Sequence, residues 1–115
     1  MPAVQENPAA HPLTIGRSLD DAGTPGLALA GELDAGSAAR LDAAVAEMRP
    51  HAAPIAVDIA GLTFLDSAGL RALLNVRQGV IDDTGHPIAL QGVNDEQYKL
   101  LELCGLLDAF GLEHR

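Results

Sequence analysis

The sequence is poor in the residue types on which many catalytic and binding sites depend. Its 115 residues include one cysteine, two phenylalanines, one tyrosine and no tryptophan. A single cysteine excludes an internal disulfide and any metal site built from several thiolates. So few aromatic rings leave little surface on which nucleic-acid bases could stack.

Positive charge is also scarce. Seven lysines and arginines stand against sixteen aspartates and glutamates, so the formal net charge is −9. The basic residues are scattered along the chain, whereas binding to phosphate backbones or anionic membrane surfaces needs them clustered. We therefore expect neither nucleic acid nor a membrane as a direct partner. The composition suits a protein that binds other proteins.

Long apolar runs are missing as well. No stretch approaches the roughly 20 apolar residues of a membrane span, and the first dozen residues lack the pattern of a secretory signal. We therefore expect a cytoplasmic protein. A chain of this length buries about two-thirds of its unfolded surface, which suffices for one domain. Residues 1–12, with three prolines, are predicted to be a flexible tail, and residues 13–115 a single domain.

The first half of that domain carries two strand signals, a helix signal and a third strand signal. Alternating side chains predict strands over Leu13–Arg17 and Leu27–Leu33, joined as a β-hairpin. Apolar residues at helical spacing predict a helix that begins at Asp34 and stops at Pro50. The β-branched run Ile55–Ile59 predicts a buried strand.

The second half continues the alternation of helices and strands. The predicted elements are a helix from Asp66 to Gly85, a strand over Pro87–Gln91, a helix from Asn94 to Gly105 and a short strand over Leu106–Leu112. The predicted order is therefore β-β-α-β-α-β-α-β. Strands that alternate with helices indicate an α/β fold with a mixed, mostly parallel sheet.

Signatures of catalysis and of metal binding are weak. The four histidines lie in predicted tail, loop and terminal segments, none at ligand spacing, so we expect no metal and no cofactor. The segment Leu65–Gly69 has the serine and second glycine of a G-x-S-x-G nucleophile elbow, but Leu65 replaces the first glycine. We expect no enzyme. The alternative, Ser67 as a nucleophile, needs a nearby base.

The most informative feature is the adjacent pair of capping-type residues Asp66 and Ser67. One of them suffices to cap the predicted helix, which leaves the other free. If Asp66 caps, the Ser67 hydroxyl points outward near unpaired backbone N–H groups, where a phosphate would be well accommodated. Two interpretations stay open on physical grounds: a simple helix cap, or a cap beside a phosphorylation switch.

Four segments together resemble a known family. Asp66–Leu70 resembles the D-S-[STA]-G-L phosphorylation motif of the STAS family of anti-sigma factor antagonists, and Gly31–Asp34 resembles its G-E-[LI]-D motif. Ile55–Leu62 is similar to the family's apolar strand before the serine. Leu100–Leu106 is similar to its late helix ending in Gly-Leu. The resemblance extends from Leu13 to Leu112.

This resemblance implies a STAS fold with a four- to five-stranded sheet and a partner-switching function. In the family, the unphosphorylated protein binds an anti-sigma factor, a GHKL-type serine kinase, and so releases the sigma factor. That kinase phosphorylates the motif serine, here Ser67, and a serine phosphatase resets it. The implied partner surface consists of Asp34, Asp66, Ser67, Ala68, Gly69, Leu70 and Arg71. Because Ala68 stands where several members carry a second hydroxyl, Ser67 is the single acceptor.

One alternative function and the roles of four further residues complete the interpretation of the sequence. A STAS protein can also be a non-switching scaffold, such as the accessory subunit of a lipid-transport ATPase or part of a stress-signalling assembly. Arg71 and Arg77 are interpreted as solvated helix charges, and either could instead meet an acidic partner or the Ser67 phosphate. Asp58 is predicted to be a satisfied strand carboxylate and Cys104 a core thiol.

Overall fold

The computed structural model describes residues 12–19, 23–48 and 55–114. Apart from Pro12, the predicted tail lies outside these ranges, and so does Pro50. The elements are β1 (Thr14–Leu19), β2 (Pro25–Leu33), α1 (Ala38–Met48), β3 (Ala56–Leu65), α2 (Ser67–Thr84), β4 (Ala89–Gln91), α3 (Asp95–Leu103) and a 3₁₀ turn (Asp108–Phe110). No described helix combines the length and the apolar character that a membrane crossing requires.

The four strands form one mixed sheet in the order β1-β2-β3-β4. β1 is antiparallel to β2, as in the predicted hairpin, while β2–β3 and β3–β4 are parallel. The register aligns Leu27 with Val57 and Val57 with Leu90, so these buried side chains share one face of the sheet. The predicted α/β class with a mostly parallel sheet is confirmed.

The core is formed by that sheet face together with the apolar stripes of the helices. α1 buries Leu41, Val45 and Met48, which follow one another at helical spacing. α2 buries a longer stripe that includes Leu73 and Val80, both fully inaccessible to solvent. Burial of each such side chain stabilises the fold by about 1.5–3 kcal/mol, so the two helices are held mainly by packing.

Two helix boundaries, the end of α2 and the start of α3, have the capping residues that the sequence predicts. α2 stops at Gly85, whose φ of 76° is the left-handed conformation that glycine adopts without strain. α3 begins with a capping box: the Asn94 side chain accepts from the Gln97 N–H at 2.8 Å, and the Gln97 side chain accepts from the Asn94 N–H at 2.9 Å. α1 begins at Ala38 rather than at the predicted Asp34, because residues 34–37 form a turn.

β3 extends six residues past its predicted end at Ile59. Two bulges lie in this strand. Register shifts relative to β2 occur between Ala28 and Ala30 and again between Gly31 and Glu32. Gly61 lies at the first shift, where an added Cβ would be 2.9 Å from the Leu29 carbonyl oxygen. The apolar run Ile55–Ile59, on which the predicted strand rests, ends at the first bulge and does not indicate that the strand continues beyond it.

The last predicted strand, over Leu106–Leu112, is wrong. Gly105 and Gly111 adopt positive φ values of 71° and 69°, and the chain between them turns through the 3₁₀ segment. Leu107 and Phe110 bury their side chains in the core from this turn. The apolar run therefore closes the core without joining the sheet.

Cys104 is exposed at the end of α3, so its prediction as a core thiol is also wrong.

Asp58 has the satisfied carboxylate that the sequence predicts. Its Oδ1 accepts a hydrogen bond from the Ala60 N–H at 2.8 Å, within β3 itself.

Gln97 provides a first test of how α3 is fixed to the sheet. It is 5% exposed, and its amide nitrogen donates to the Ile59 carbonyl at 3.0 Å in addition to its bond within the capping box. Gln97→Ala removes both hydrogen bonds from a buried position, so we expect the free energy of unfolding in urea to fall by about 1–3 kcal/mol. Lys99→Ala, on the exposed side of the same helix, should change stability little. Equal unfolding midpoints for the two variants would contradict this assignment.

Candidate functional site

The candidate site lies where β2 and β3 end side by side. The parallel register pairs Leu33 with Leu65, so the segments that follow both strands leave the same edge of the sheet. Asp34 follows β2, while Asp66 and Ser67 follow β3. Two of the motifs noted in the sequence, far apart along the chain, are thus neighbours at one edge.

Asp66, one of the two predicted capping candidates, is the N-cap of α2. Its backbone is extended, with φ −111° and ψ −173°, and its Oδ1 accepts from the Gly69 N–H at 2.8 Å. Its carbonyl accepts the first helical bond, from the Leu70 N–H at 2.9 Å. Asp66 therefore fills the capping role alone.

Ser67 is the first residue of α2, and its side chain is exposed. Because Asp66 already caps the helix, the Ser67 hydroxyl is not needed for the cap, and it has no hydrogen-bond partner within the described ranges. Ala68 beside it is half-buried and contributes no competing hydroxyl. The hydroxyl is therefore free to react or to bind at the surface.

Gly69 brings α2 close to the strand ends. A Cβ at this position would lie 2.8 Å from Leu65 Cδ1 and closer still to the Leu33 carbonyl oxygen, which is backbone and cannot rotate away. Only glycine permits this approach. The next residue, Leu70, is 2% exposed and anchors the first turn of α2 in the core.

Asp34 is held by a reciprocal pair of hydrogen bonds with Ser37. The Ser37 N–H donates to Asp34 Oδ1 at 3.2 Å, and the Asp34 N–H donates to Ser37 Oγ at 3.1 Å. Ser37 is only 7% exposed and its hydroxyl lies 3.3 Å from the Glu32 carbonyl oxygen. This rigid turn keeps Asp34 half-exposed at the same edge as Asp66.

A shallow groove of about 400 Å³ runs along the start of α2. It is lined by Ala35, Ala38, Ser67, Ala68, Arg71, Ala72 and Asn75. Four of these residues are alanines, which make part of the lining apolar, while Ser67, Arg71 and Asn75 are its polar members. His86 and His114, the histidines in the described ranges, do not line the groove. No group of three or more potential metal ligands occurs among the described residues.

Sequence reasoning identified part of this groove and missed the rest. Ser67, Ala68 and Arg71 were predicted, and all three line it. Ala35 and Ala38, which come from the β2–α1 turn and the start of α1, were missed because they approach α2 only through the fold. Ala72 and Asn75 follow Ala68 at helical spacing, and that spacing could have revealed them.

The family model described as "Mlab, STAS domain" matches residues 18–112. The chain belongs to the STAS domain family. No protein with a curated description matches it.

Two solved structures share the fold of this STAS domain. An anti-sigma factor antagonist from Mycobacterium paratuberculosis is 24% identical, with 90% of this chain and 87% of that chain covered and a TM-score of 0.67. The STAS domain of an antisigma-factor antagonist from Rhodobacter sphaeroides is 18% identical, with 72% and 89% covered and a TM-score of 0.53. At these identities the likeness concerns the fold.

The close approach at Gly69 generates a prediction about stability. Gly69→Ala should destabilise the domain by about 1–3 kcal/mol, because the added methyl group meets a backbone oxygen that can move only with its strand. Gly36→Ala is the matched control, since its Cβ would lie 3.4 Å from Asp34 Oδ1, an ordinary contact. Urea unfolding followed by circular dichroism measures both. A Gly69→Ala protein as stable as the Gly36→Ala control would show that α2 does not approach β2 this closely.

Proposed function

We propose that this STAS domain is an anti-sigma factor antagonist whose binding is switched off by phosphorylation of Ser67. Its partner would be an anti-sigma factor that is also a GHKL-type serine kinase. The unphosphorylated domain binds this partner and so releases the sigma factor. The kinase transfers the γ-phosphoryl group of ATP to Ser67 Oγ, whose proton is lost, and a serine phosphatase hydrolyses the ester to reset the domain.

The observation that carries the proposal is the free Ser67 hydroxyl at the start of α2. A kinase needs an acceptor hydroxyl that it can reach, and Ser67 is exposed while Asp66 caps the helix. Ser37, by contrast, is 7% exposed and bonded within its turn. Membership of the STAS family and the fold shared with two proteins called anti-sigma factor antagonists add support.

The proposed docking surface is the groove together with Asp34 and Asp66 at the same edge of the sheet. Its exposed and half-exposed residues, Asp34, Asp66, Ser67, Ala68 and Arg71, offer direct contacts to a partner. Gly69 and Leu70, which the sequence resemblance also implies, are buried and would support the surface from beneath. The apolar part of the groove lining would receive a side chain of the partner.

A phosphate on Ser67 would oppose binding through its charge. It adds about 1.5–2 negative charges beside Asp66 and across from Asp34. Closing a partner over this group removes water from it, and the neighbouring carboxylates repel it. A tenfold loss of affinity needs only about 1.4 kcal/mol, which one poorly compensated charge supplies.

The first functional prediction concerns the acceptor. Incubation with the candidate kinase and ATP should add one phosphate to the wild-type domain and none to Ser67→Ala, as measured by intact mass. Peptide mapping should place the phosphate on Ser67. Phosphate found on Ser18 or Ser37 in the wild type would contradict the proposal.

The second functional prediction concerns binding. Ser67→Ala removes a hydroxyl without adding charge and should keep most of the affinity for the anti-sigma factor, whereas Ser67→Asp should lose at least about tenfold. Calorimetry at fixed salt compares the two. Circular dichroism and melting curves serve as the control, since a negative charge at a helix N-terminus is tolerated or stabilises by about 0.3–1 kcal/mol. Unfolding of Ser67→Asp would mean that the site is buried.

A second candidate function is a non-switching STAS scaffold, such as an accessory subunit of a lipid-transport ATPase or part of a stress-signalling assembly. The matching family model carries the name Mlab and not that of an antagonist, which keeps this candidate open. In a scaffold, Ser67 would serve only as a surface residue beside the cap. Equal affinities of Ser67→Ala and Ser67→Asp for the partner, with no phosphate transfer, would favour the scaffold.

A further inference from the structure

We infer that Arg71 is the internal counter-ion of phosphorylated Ser67, so that phosphorylation withdraws this arginine from the docking surface. The inference rests on the proposed phosphorylation of Ser67 and adds a second residue to the switch. It concerns what the phosphate does to this domain before any partner is present.

Ser67 and Arg71 lie on the same face of α2. Ser67 and Arg71 are four residues apart on one helix, a spacing that puts their Cβ atoms about 5–6 Å apart on the same face. Both side chains are exposed, and both line the groove between α1 and α2. The anion precedes the cation along the helix, which is the favourable order for such a pair.

The guanidinium of Arg71 is available to a new anion, unlike those of two other arginines. Arg17 forms an ion pair with Glu47 at 3.3 Å, and Arg40 donates to the Leu13 carbonyl at 2.6 Å. Arg71 has no hydrogen bond or ion pair with any residue in the described ranges. The nearby Asp66 carboxylate accepts from the Gly69 N–H and does not hold the guanidinium. Arg71 can therefore turn towards a new phosphate without breaking an existing contact.

The guanidinium of Arg71 also suits a phosphate chemically. A guanidinium presents parallel N–H donors that match two oxygens of a phosphate, and such charge-assisted pairs are stronger than neutral hydrogen bonds. The carboxylates around the groove have the opposite influence. Asp66 directly precedes Ser67, Asp34 lies at the same edge of the sheet, and Asp42 follows Ala38 by one turn of α1. Arg71 would lower the pKa of the phosphate, whereas these carboxylates would raise it.

The consequence for the switch is twofold. With Ser67 unmodified, Arg71 is a free cation in the groove lining and can meet an acidic group of the partner. With Ser67 phosphorylated, the guanidinium pairs across one turn of α2 and that contact is lost. A partner then meets a new dianion and also misses a cation, so one modification changes two positions of the surface.

The experiment uses the full chain with phosphoserine incorporated at position 67 during translation, so that no kinase is required. Phosphorus NMR follows the second ionisation of the phosphate, whose pKa is about 6 in free phosphoserine. The same titration is run on Arg71→Gln and on the control Lys99→Gln, which removes an equal charge from α3, outside the groove.

We expect Arg71→Gln to raise the pKa of the phosphate, with at least about a twofold lower ratio of dianion to monoanion near pH 6 than in the parent. Lys99→Gln should leave the ratio unchanged, and Arg71→Lys should restore part of it. The NMR signal of the Arg71 Nε–H should also move on phosphorylation. Identical titrations for the parent and Arg71→Gln would overturn the inference.

The outcomes separate this inference from the proposed function. If the phosphate titrates independently of Arg71 but still abolishes partner binding, the switch stands and the counter-ion fails. If no candidate kinase modifies Ser67, the proposed function fails. The titration of the translated phosphoprotein then still reports whether the pair forms.

Discussion

The close approach of α2 to the ends of β2 and β3 is the constraint on which the candidate site depends. Gly69 permits it, because any Cβ at that position would meet the Leu33 carbonyl oxygen and Leu65. In the same turn, Asp66 has the extended backbone of an N-cap residue, and its carboxylate accepts from the Gly69 N–H. Because Asp66 caps the helix, the hydroxyl of the next residue, Ser67, is not needed for the cap. Packing, capping and exposure thus meet at the start of α2.

The parallel pairing of β2 with β3 positions the two walls of the groove. α1 and α2 follow neighbouring parallel strands, so their first turns lie side by side at one edge of the sheet. Alanines on both helices make part of the groove lining apolar, while Ser67, Arg71 and Asn75 supply the polar groups. Asp34 and Asp66 follow β2 and β3 at the same edge of the sheet, and the net charge of the chain is −9. A phosphate on Ser67 therefore enters a field in which further negative charge is opposed and Arg71 is a cation within reach.

Much of this could be predicted from the sequence, and the failures have physical causes. The caps at Asp66 and Asn94, the stop at Gly85 and the mixed sheet follow from local chemistry that the sequence displays directly. The bulges in β3 and the turn at residues 106–112 do not, because both depend on how the chain meets distant backbone. Only Ser67, Ala68 and Arg71 of the groove lining were predicted, for the same reason. Its α2 wall follows helical spacing, whereas Ala35 and Ala38 reach it only through tertiary packing.

The central claim is that negative charge on Ser67 controls docking at this groove. The most direct test measures, by calorimetry at fixed salt, the affinity of the anti-sigma factor for the domain with and without a phosphate on Ser67. Both forms must first show the same circular dichroism spectrum. Our account predicts at least about a tenfold weaker affinity for the phosphorylated form, which corresponds to 1.4 kcal/mol. Equal affinities of the two folded forms would contradict it.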